Sequence, residues 1–366
     1  MREARFCEKL QENKIQCHLC PHECIIAEGK RGLCRARENH EGTLFSLTYE
    51  KLTSHSVDPI EKKPLYHFHP GSSAFSIGTL GCNLSCDFCQ NWEISQGNVP
   101  SYVMTAQEVV ELTQRYHCES IAYTYNEPSI WYEFVYDTAE LARKEGIYNV
   151  LVTNGFIQEE PLRTILPLID ALNVDVKAFT DEFYRNLCHG RLFPVLRAVE
   201  IAKEYSWVEI TTLLIPGKND SDGEIRALVK WVASLGEETP LHFSRYFPQY
   251  RFHVATTPVE TLEKARSIAL ERLRYVYIGN VWGHEGDNTY CYSCKNPIIM
   301  RRGFSTSTRG LEKQEPELKQ KRDRNQQLEQ IQAKELGEKD RKTEKGKKKY
   351  QEAVCTFCGA PIDLVW

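Results

Sequence analysis

Eleven of the fourteen cysteines fall into three short-spaced sets, and this constrains the fold before anything else does. Cys17, Cys20, Cys24 and Cys34 form C-x2-C-x3-C-x9-C; Cys82, Cys86 and Cys89 form C-x3-C-x2-C; Cys291, Cys294, Cys355 and Cys358 form two C-x2-C pairs. Such spacings suit metal ligation in a reducing compartment better than disulfides. No run approaches the roughly 18 consecutive apolar residues of a membrane span. The first twenty residues alternate charge with cysteine where a secretory signal would carry an apolar core, so the expected location is the cytoplasm. The singletons Cys7, Cys118 and Cys188 read as small buried hydrophobes. Cys188 stands out among them because Leu187-Cys188-His189-Gly190 follows an expected strand.

Between the first and last cysteine sets the pattern changes. From about residue 73, short β-rich runs alternate with amphipathic helical ones: AFSIGTLG then TAQEVVELTQRY, SIAYTY then SIWYEFVYDTAELARKEG, NVLVTN then EEPLRTILPLI. ALNVDVKAF, VEITTLLIPG, PLHFSRYF and YVYIG continue the strands, with helices expected near 193–204, 222–235 and 258–270. This alternation builds a parallel sheet with crossover helices. Six or seven such units fit an α/β partial (β/α)6-type TIM barrel, with a doubly wound open sheet as the competing topology. The expected organisation is a Cys-rich metal-binding region over 1–70, a barrel core over 71–282, and a zinc-ribbon-like segment from 283–310 and 351–366. A charged insert over 311–350 interrupts that segment. The insert carries 13 basic and 9 acidic residues against a whole-chain charge of -4, so the rest of the chain stands at -8. Composition therefore argues against a nucleic-acid protein despite the run Lys345 to Lys349, and the insert reads as a solvated helix or a disordered linker.

Three thiols in eight residues cannot complete a four-coordinate zinc site or ligate all four irons of a cubane, so one metal position stays open. The loop carrying them follows the run Phe75 to Gly81, which puts it at the C-terminal mouth of a barrel, where such folds place active sites. Strand alternation over Asn173-Val174-Asp175-Val176-Lys177 sets Asn173, Asp175 and Lys177 on one face. A charged pair facing a barrel interior is costly unless it is paired or binds something.

The loop CNLSCDFCQNW (Cys82 through Trp92), with Phe88 before the last thiol, resembles that of the radical S-adenosylmethionine (radical SAM) superfamily. The resemblance implies a [4Fe-4S] cluster held by Cys82, Cys86 and Cys89, with S-adenosylmethionine on the free iron. Reductive cleavage would give methionine and a 5'-deoxyadenosyl radical that takes hydrogen from a substrate. It further implies that Asp175 and Lys177 approach the methionine moiety, a structural ion pair being the alternative. Tyr125-Asn126-Glu127-Pro128 looks like a variant of the Gly-Gly-Glu-Pro motif, placing Asn126 and Glu127 near the cofactor's amino group; the plain alternative is a helix start at Pro128. By the same resemblance Asn154 would meet the ribose or simply form an Asn-Gly turn, Ile215 would lie against the adenine, and His242 would reach cofactor or substrate or serve the structure.

The N-terminal set, Cys17, Cys20, Cys24 and Cys34, has the ligand count of one tetrahedral metal, and zinc or a second iron-sulfur cluster would fit it. Cys291, Cys294, Cys355 and Cys358 look like two zinc-ribbon knuckles despite the 60 residues between them, because loop closure costs only logarithmically with length.

Together, Cys17 to Cys24, Asp58 to Phe68, Cys82 to Trp92, Tyr123 to Pro128 and Gly279-Asn280 resemble one branch, the radical SAM member of the AmmeMemoRadiSam system, similar to pyruvate formate-lyase activating enzyme. That resemblance implies an external one-electron donor of flavodoxin or ferredoxin type and, as partners, Memo-type and AMMECR-type proteins. The aromatic run Pro64 to His69 is expected to pack over the barrel mouth. The competing function is a non-catalytic zinc-binding module contacting nucleic acid or protein, which leaves Cys82, Cys86, Cys89 and the Asp175/Lys177 pair unexplained.

Overall fold

Seven of the expected strands form one parallel sheet, and the computed structural model describes them together with the rest of residues 1–303, 305–313 and 353–366. The parallel strands are β2 (Ser73–Gly78), β3 (Ser120–Tyr123), β4 (Tyr148–Thr153), β5 (Ala171–Asp175), β6 (Trp207–Leu214), β7 (Leu241–Arg245) and β8 (Val276–Gly279), adjacent in chain order. An eighth strand, β1 (Ser54–Pro59), pairs antiparallel with β2, from Ser54 opposite Gly78 to Pro59 opposite Ser73. The expected boundary at residue 70 falls in the connection between these two paired strands. The run SHSVDP gave no sign of this because an edge strand keeps much of its surface in solvent; Val57 is 43% exposed.

The crossovers are helices where their chemistry dictates. Helix α1 (Ala106–Arg115) starts at Thr105, whose side chain accepts from the Glu108 amide while Glu108 reaches back to the Thr105 amide, a complete capping box. Helices α2 (Tyr132–Lys144), α3 (Glu159–Ile165), α4 (Leu192–Ala202), α5 (Asp222–Leu235) and α6 (Val259–Leu270) follow in turn. Ser221 caps α5 through the Glu224 amide. The helices bury Val109, Phe134, Leu162, Val199, Val229 and Leu262 against Phe75, Ile121, Leu151, Leu172, Val208 and Phe243 of the sheet.

The other face of the sheet encloses the barrel interior, and it is polar. Register sets Asn173 beside Glu209, and Asp175, Thr211, His242 and Tyr277 in one row across β5 to β8. The aromatic run does not lie over the mouth: Ile60, Leu65 and Phe68 pack with Ala171 and Trp207, the first residues of β5 and β6, at the opposite end. The interior's polar side chains explain this placement, since Tyr66 and His67 donate their backbone N–H groups to the Glu209 carboxylate at 3.0 and 2.7 Å.

The N-terminal region is a set of small antiparallel sheets, including Cys7–Lys9, Ile15–Cys17 and Ile25–Ile26. Cys7 is exposed there, whereas Cys118 and Cys188 are buried as expected. At the other end Leu311–Lys313 pairs with Ala353–Cys355, so the first residues of the expected insert belong to the ribbon sheet. The remainder of the insert, with the Lys345 to Lys349 run, lies outside the described residues. Among the described residues no helix is long and apolar enough to cross a membrane.

Candidate functional site

The three-thiol loop leaves β2 at its C-terminal end through Gly81, and Gly81 is required there. Its φ is +93°, and a Cβ would stand 2.4 Å from the Cys34 carbonyl oxygen. Beyond it the loop is pinned by backbone bonds to a turn that ends at Cys188. Ser85 N–H donates to the Cys188 carbonyl and Asp87 N–H to that of Leu187, at 3.2 and 3.0 Å. Asn83 donates to the Phe156 carbonyl at 2.6 Å, and the Asp87 carbonyl accepts from the Arg251 amide. Phe88 is buried against Phe183 and Phe252.

The thiols sit in unlike surroundings. Burial pushes Cys82 well above its ordinary pKa, with the Glu127 charge adding to it. Cys86 is lowered, first by the Cys188 thiol beside it and, against burial, by the Lys177 ammonium. Burial works against the charge on Lys177, but Asp175, Cys86 and Cys188 hold it protonated; its Nζ is 2.9 Å from the Asp175 carboxylate.

Asn126 and Glu127 work as supports. The Asn126 side chain accepts from the Thr79 amide at 3.0 Å and donates to the Gly81 carbonyl at 2.9 Å, bracing the root of the loop. Glu127 accepts from the Asn154 amide and the Thr153 hydroxyl, both at 2.7 Å, and from the Ser129 amide at 3.0 Å. Asn154 in turn donates to Asn83 Oδ1 at 2.9 Å and reaches Cys82 Sγ at 3.6 Å. One continuous network thus runs from the end of β4 to the first thiol.

Ile215 and His242 are held by partners of their own. Ile215 is fully buried in the main core, with its amide on Asn219 Oδ1. His242 shares the register row of Asp175, but its Nε2 lies 2.7 Å from Glu209 Oε2, and its ring packs against Tyr66 and Tyr277. A buried carboxylate needs such a partner, and the imidazole is turned to it.

The sequence reading gave no role to three residues that support the site. Asn83 and Cys188 hold the loop across 73 and about 100 residues of chain respectively, which no local pattern announces. Tyr125 sits at φ +68°, where glycine is favoured; its hydroxyl donates to Asp58 at 2.7 Å, and Lys63 lies both on Asp58 at 2.8 Å and over the tyrosine ring. The departure from glycine at Tyr125 was the available signal, since a bulky residue in the left-handed region needs compensation nearby.

Cys291 and Cys358, and Cys294 and Cys355, stand 3.7 Å apart, matching the edge of about 3.8 Å for a tetrahedron of thiolates round zinc. Among the described residues these four form the group whose ligand atoms all lie within 4.8 Å of one another. On the interior face, Thr211 Oγ1 in the row that carries Asp175 and Asn173 Oδ1 in the row of Glu209 are buried without hydrogen-bond partners, polar atoms of the kind a bound polar ligand satisfies.

Residues 76–232 match the family described as the Radical SAM superfamily. An uncharacterized protein of Methanocaldococcus jannaschii is 49% identical over 319 residues, which cover 85% of this chain and 95% of that one. The pyruvate formate-lyase 1-activating enzyme of Escherichia coli (strain K12) is 26% identical over 176 residues, 45% of this chain and 71% of its own. Among solved structures, a radical SAM methyltransferase from Sphaerobacter thermophilus aligns over 58% of this chain and 67% of its own, with a TM-score of 0.46 at 18% identity.

Proposed function

The chain belongs to the radical SAM superfamily, and from that premise we propose that it is an enzyme that cleaves S-adenosylmethionine reductively and takes hydrogen from a substrate through the 5'-deoxyadenosyl radical. The observation that carries the reading is the loop of Cys82, Cys86 and Cys89 at the C-terminal end of β2, with the Lys177 cation beside Cys86. In this reading the three thiols hold three irons of a [4Fe-4S] cluster. When bound, the cluster supplies the electron and S-adenosylmethionine the abstracting group. The chain's own work is to bind and orient. Asp175 and Lys177 offer an anion and a cation to the amino and carboxylate ends of the methionine moiety. Asn154 is the proposed partner of the ribose, and Ile215, just past the end of β6, the proposed apolar neighbour of the adenine. Asn126 and Glu127 fix the loop and the end of β4; His242 braces the barrel floor through Glu209.

Similarity to an activating enzyme supports a hydrogen abstraction of glycyl-radical-activating type, and the end-to-end motif pattern supports the AmmeMemoRadiSam branch. Memo-type and AMMECR-type proteins are accordingly the partners to test by co-purification. A flavodoxin- or ferredoxin-type protein is the one-electron donor to test. The ribbon thiols, at 3.7 Å, support zinc at Cys291, Cys294, Cys355 and Cys358.

The test is anaerobic. The purified, reduced chain is given S-adenosylmethionine and assayed for 5'-deoxyadenosine, with Cys86→Ala alongside. Product from the wild type and none from the variant is the expected result. No cleavage by the wild type after cluster reconstitution would overturn the proposal and leave the zinc module standing.

A further inference from the structure

The segment Asp58-Pro59-Ile60-Glu61-Lys62-Lys63-Pro64 carries a charged cluster that the reaction proposed above does not use. Asp58 stands opposite Ala74 of β2, and Ala74 packs with Ile60 and Leu65 in the barrel floor, so the Asp58 carboxylate lies on the interior side of the sheet. The segment is held there by Asn173 of β5, whose side chain donates to the Pro64 carbonyl at 2.8 Å. Four donors meet the carboxylate. Lys63 Nζ at 2.8 Å and the Tyr125 hydroxyl at 2.7 Å share Oδ2; Lys62 Nζ at 3.1 Å and the Ser56 hydroxyl at 3.5 Å share Oδ1.

A structural ion pair needs one cation for one carboxylate, and this carboxylate has two. The Lys62 side chain is 47% exposed and that of Lys63 3%, so the surplus positive charge falls on a buried amine, where it costs free energy. Taking the proton from Lys63 balances the cluster and leaves Asp58 paired with Lys62. Burial is the largest influence on Lys63 and, with Lys62 beside it, draws the amine below its ordinary pKa against the pull of Asp58. A desolvated lysine next to a second cation is the arrangement that makes an amine nucleophilic toward a carbonyl carbon.

The phenol beside it is held in place by two unusual backbone choices. Tyr125 is at φ +68°, and Gly78 leaves it room: a Cβ there would stand 3.0 Å from the Tyr125 side chain and 2.8 Å from the Thr124 carbonyl oxygen. Lys63 Nζ is 4.8 Å from the Tyr125 ring centroid. An amine and a phenol on one carboxylate oxygen give a proton a short path between them, which carbonyl addition requires. The cluster also reaches the radical loop, since the Tyr125 carbonyl accepts from the Asn91 side chain at 2.7 Å.

We propose that Lys63 is a nucleophilic lysine that holds an uncharged aldehyde or ketone as an imine inside the barrel, with Asp58 and Tyr125 moving the proton. The neutral amine attacks the carbonyl carbon, and one N–H proton passes to the oxygen by way of Asp58 and Tyr125. The resulting hydroxyl then leaves as water with the second N–H proton, so a C=N bond replaces C=O and nothing is oxidised or reduced. With Lys63 neutral the charges of Asp58 and Lys62 cancel, which leaves no net charge to attract an anionic carbonyl compound. That the molecule so held is the one the radical attacks rests on the reading above; formation of the imine does not.

Anaerobically purified, cluster-loaded chain is treated with propanal and sodium cyanoborohydride, and the alkylated lysines are located by peptide mass spectrometry. Glyoxylate, an anionic aldehyde, is used in a parallel reaction, and the triple variant Cys82→Ala/Cys86→Ala/Cys89→Ala is treated alongside. Lys63 should be propylated faster than Lys144, whose side chain is 64% exposed, equally in wild type and triple variant, and should take glyoxylate less readily. Tyr125→Phe, with its fold checked by circular dichroism, should slow labelling of Lys63 by about 100-fold and leave Lys144 unchanged. Lys63 left unmodified while Lys144 is propylated would overturn the nucleophile and make the cluster a structural ion pair. A preference of Lys63 for glyoxylate would overturn the uncharged class, and full labelling in Tyr125→Phe would remove the phenol from the proton path. Rapid labelling of Lys63 in a wild type that yields no 5'-deoxyadenosine would sink the radical reading and leave the imine site in place.

Discussion

Arg37 and Glu133 show how much a single buried pair can decide. Their side chains are 1% and 3% exposed and lie 2.6 Å apart, across 96 residues of chain, joining the N-terminal sheets to α2. Glu133 also accepts from the Arg5 amide at 2.8 Å. Removing one partner leaves the other charge buried and uncompensated, so Glu133→Ala should cost about 3–5 kcal/mol, and Arg37→Met combined with Glu133→Leu much less. Urea unfolding monitored by tryptophan fluorescence measures both, and a cost below about 1 kcal/mol for the single change would show the pair to be dispensable. Lys177 is the corresponding test for activity. Its charge lies beside Cys86, Cys188 and Asp175, so Lys177→Met should lower 5'-deoxyadenosine formation by at least about 100-fold, with iron content retained, whereas Lys177→Arg keeps the charge but loses the point geometry and should fall between. Unchanged turnover in the methionine variant would remove Lys177 from the site. The sequence made Asp175, Lys177 and the three thiols legible because spacing and strand parity are local. It left two roles open for His242 because the partner that holds the ring, Glu209, is 33 residues away.

At the scale of elements, the strap from Ile60 to Ser72 ties the barrel floor to the C-terminal tail. His67 donates from Nδ1 to the Asp363 carbonyl and accepts at Nε2 from the Tyr277 hydroxyl, which is 2.9 Å from the Thr289 hydroxyl, itself an acceptor from Arg301. The tail answers with backbone bonds: Val365 N–H to the His67 carbonyl at 2.7 Å and His69 N–H to the Val365 carbonyl at 2.8 Å. Burial, the largest influence, holds the imidazole's pKa down to about 4, against the Glu209 carboxylate and the Asp363 carbonyl, which favour its protonated form. The unfolded chain protonates it near pH 6.5, so between about 6.5 and 4 the unfolded state binds a proton that the folded state refuses. Stability is therefore full above about pH 6.5 and falls as pH drops through that window, by an amount on the order of 3 kcal/mol. His67→Gln should be less stable at pH 7.5 and lose markedly less between pH 7 and 4.5, in urea titrations at each pH. Equal slopes for the two proteins would disprove the assignment. The strap was legible as an aromatic run with no ligand spacing; its position under the barrel was not, because polar side chains from β6, β7 and β8 determine it.

At the scale of the molecule, the alternation from residue 73 to 279 made the sheet legible strand by strand, since each helix and strand announces its own period. The joins at either end were not, because they depend on register between distant segments. The ribbon offers a direct test of that register. Lys313 and Ala353 are opposite partners in an antiparallel pair, and Leu311 stands opposite Cys355. An antiparallel pair needs only two residues to turn, best as Asn-Gly, so residues 314–352 can be excised and Lys313 joined to Ala353 through that dipeptide. The ribbon would then close a connection of two residues in place of 39, which favours the folded ribbon by about 2.6 kcal/mol from chain entropy. The shortened chain should keep its zinc content, bring Cys294 and Cys355 together as before, and unfold at a temperature no lower than the full chain. Because Val365 and Asp363 hang the tail on the strap, a ribbon that failed to close would also free the tail, and the shortened protein would then lose both its zinc and the pH dependence carried by His67. That joint loss would show that residues 314–352 have a part in folding the ribbon, and it would refute the register on which the excision is based.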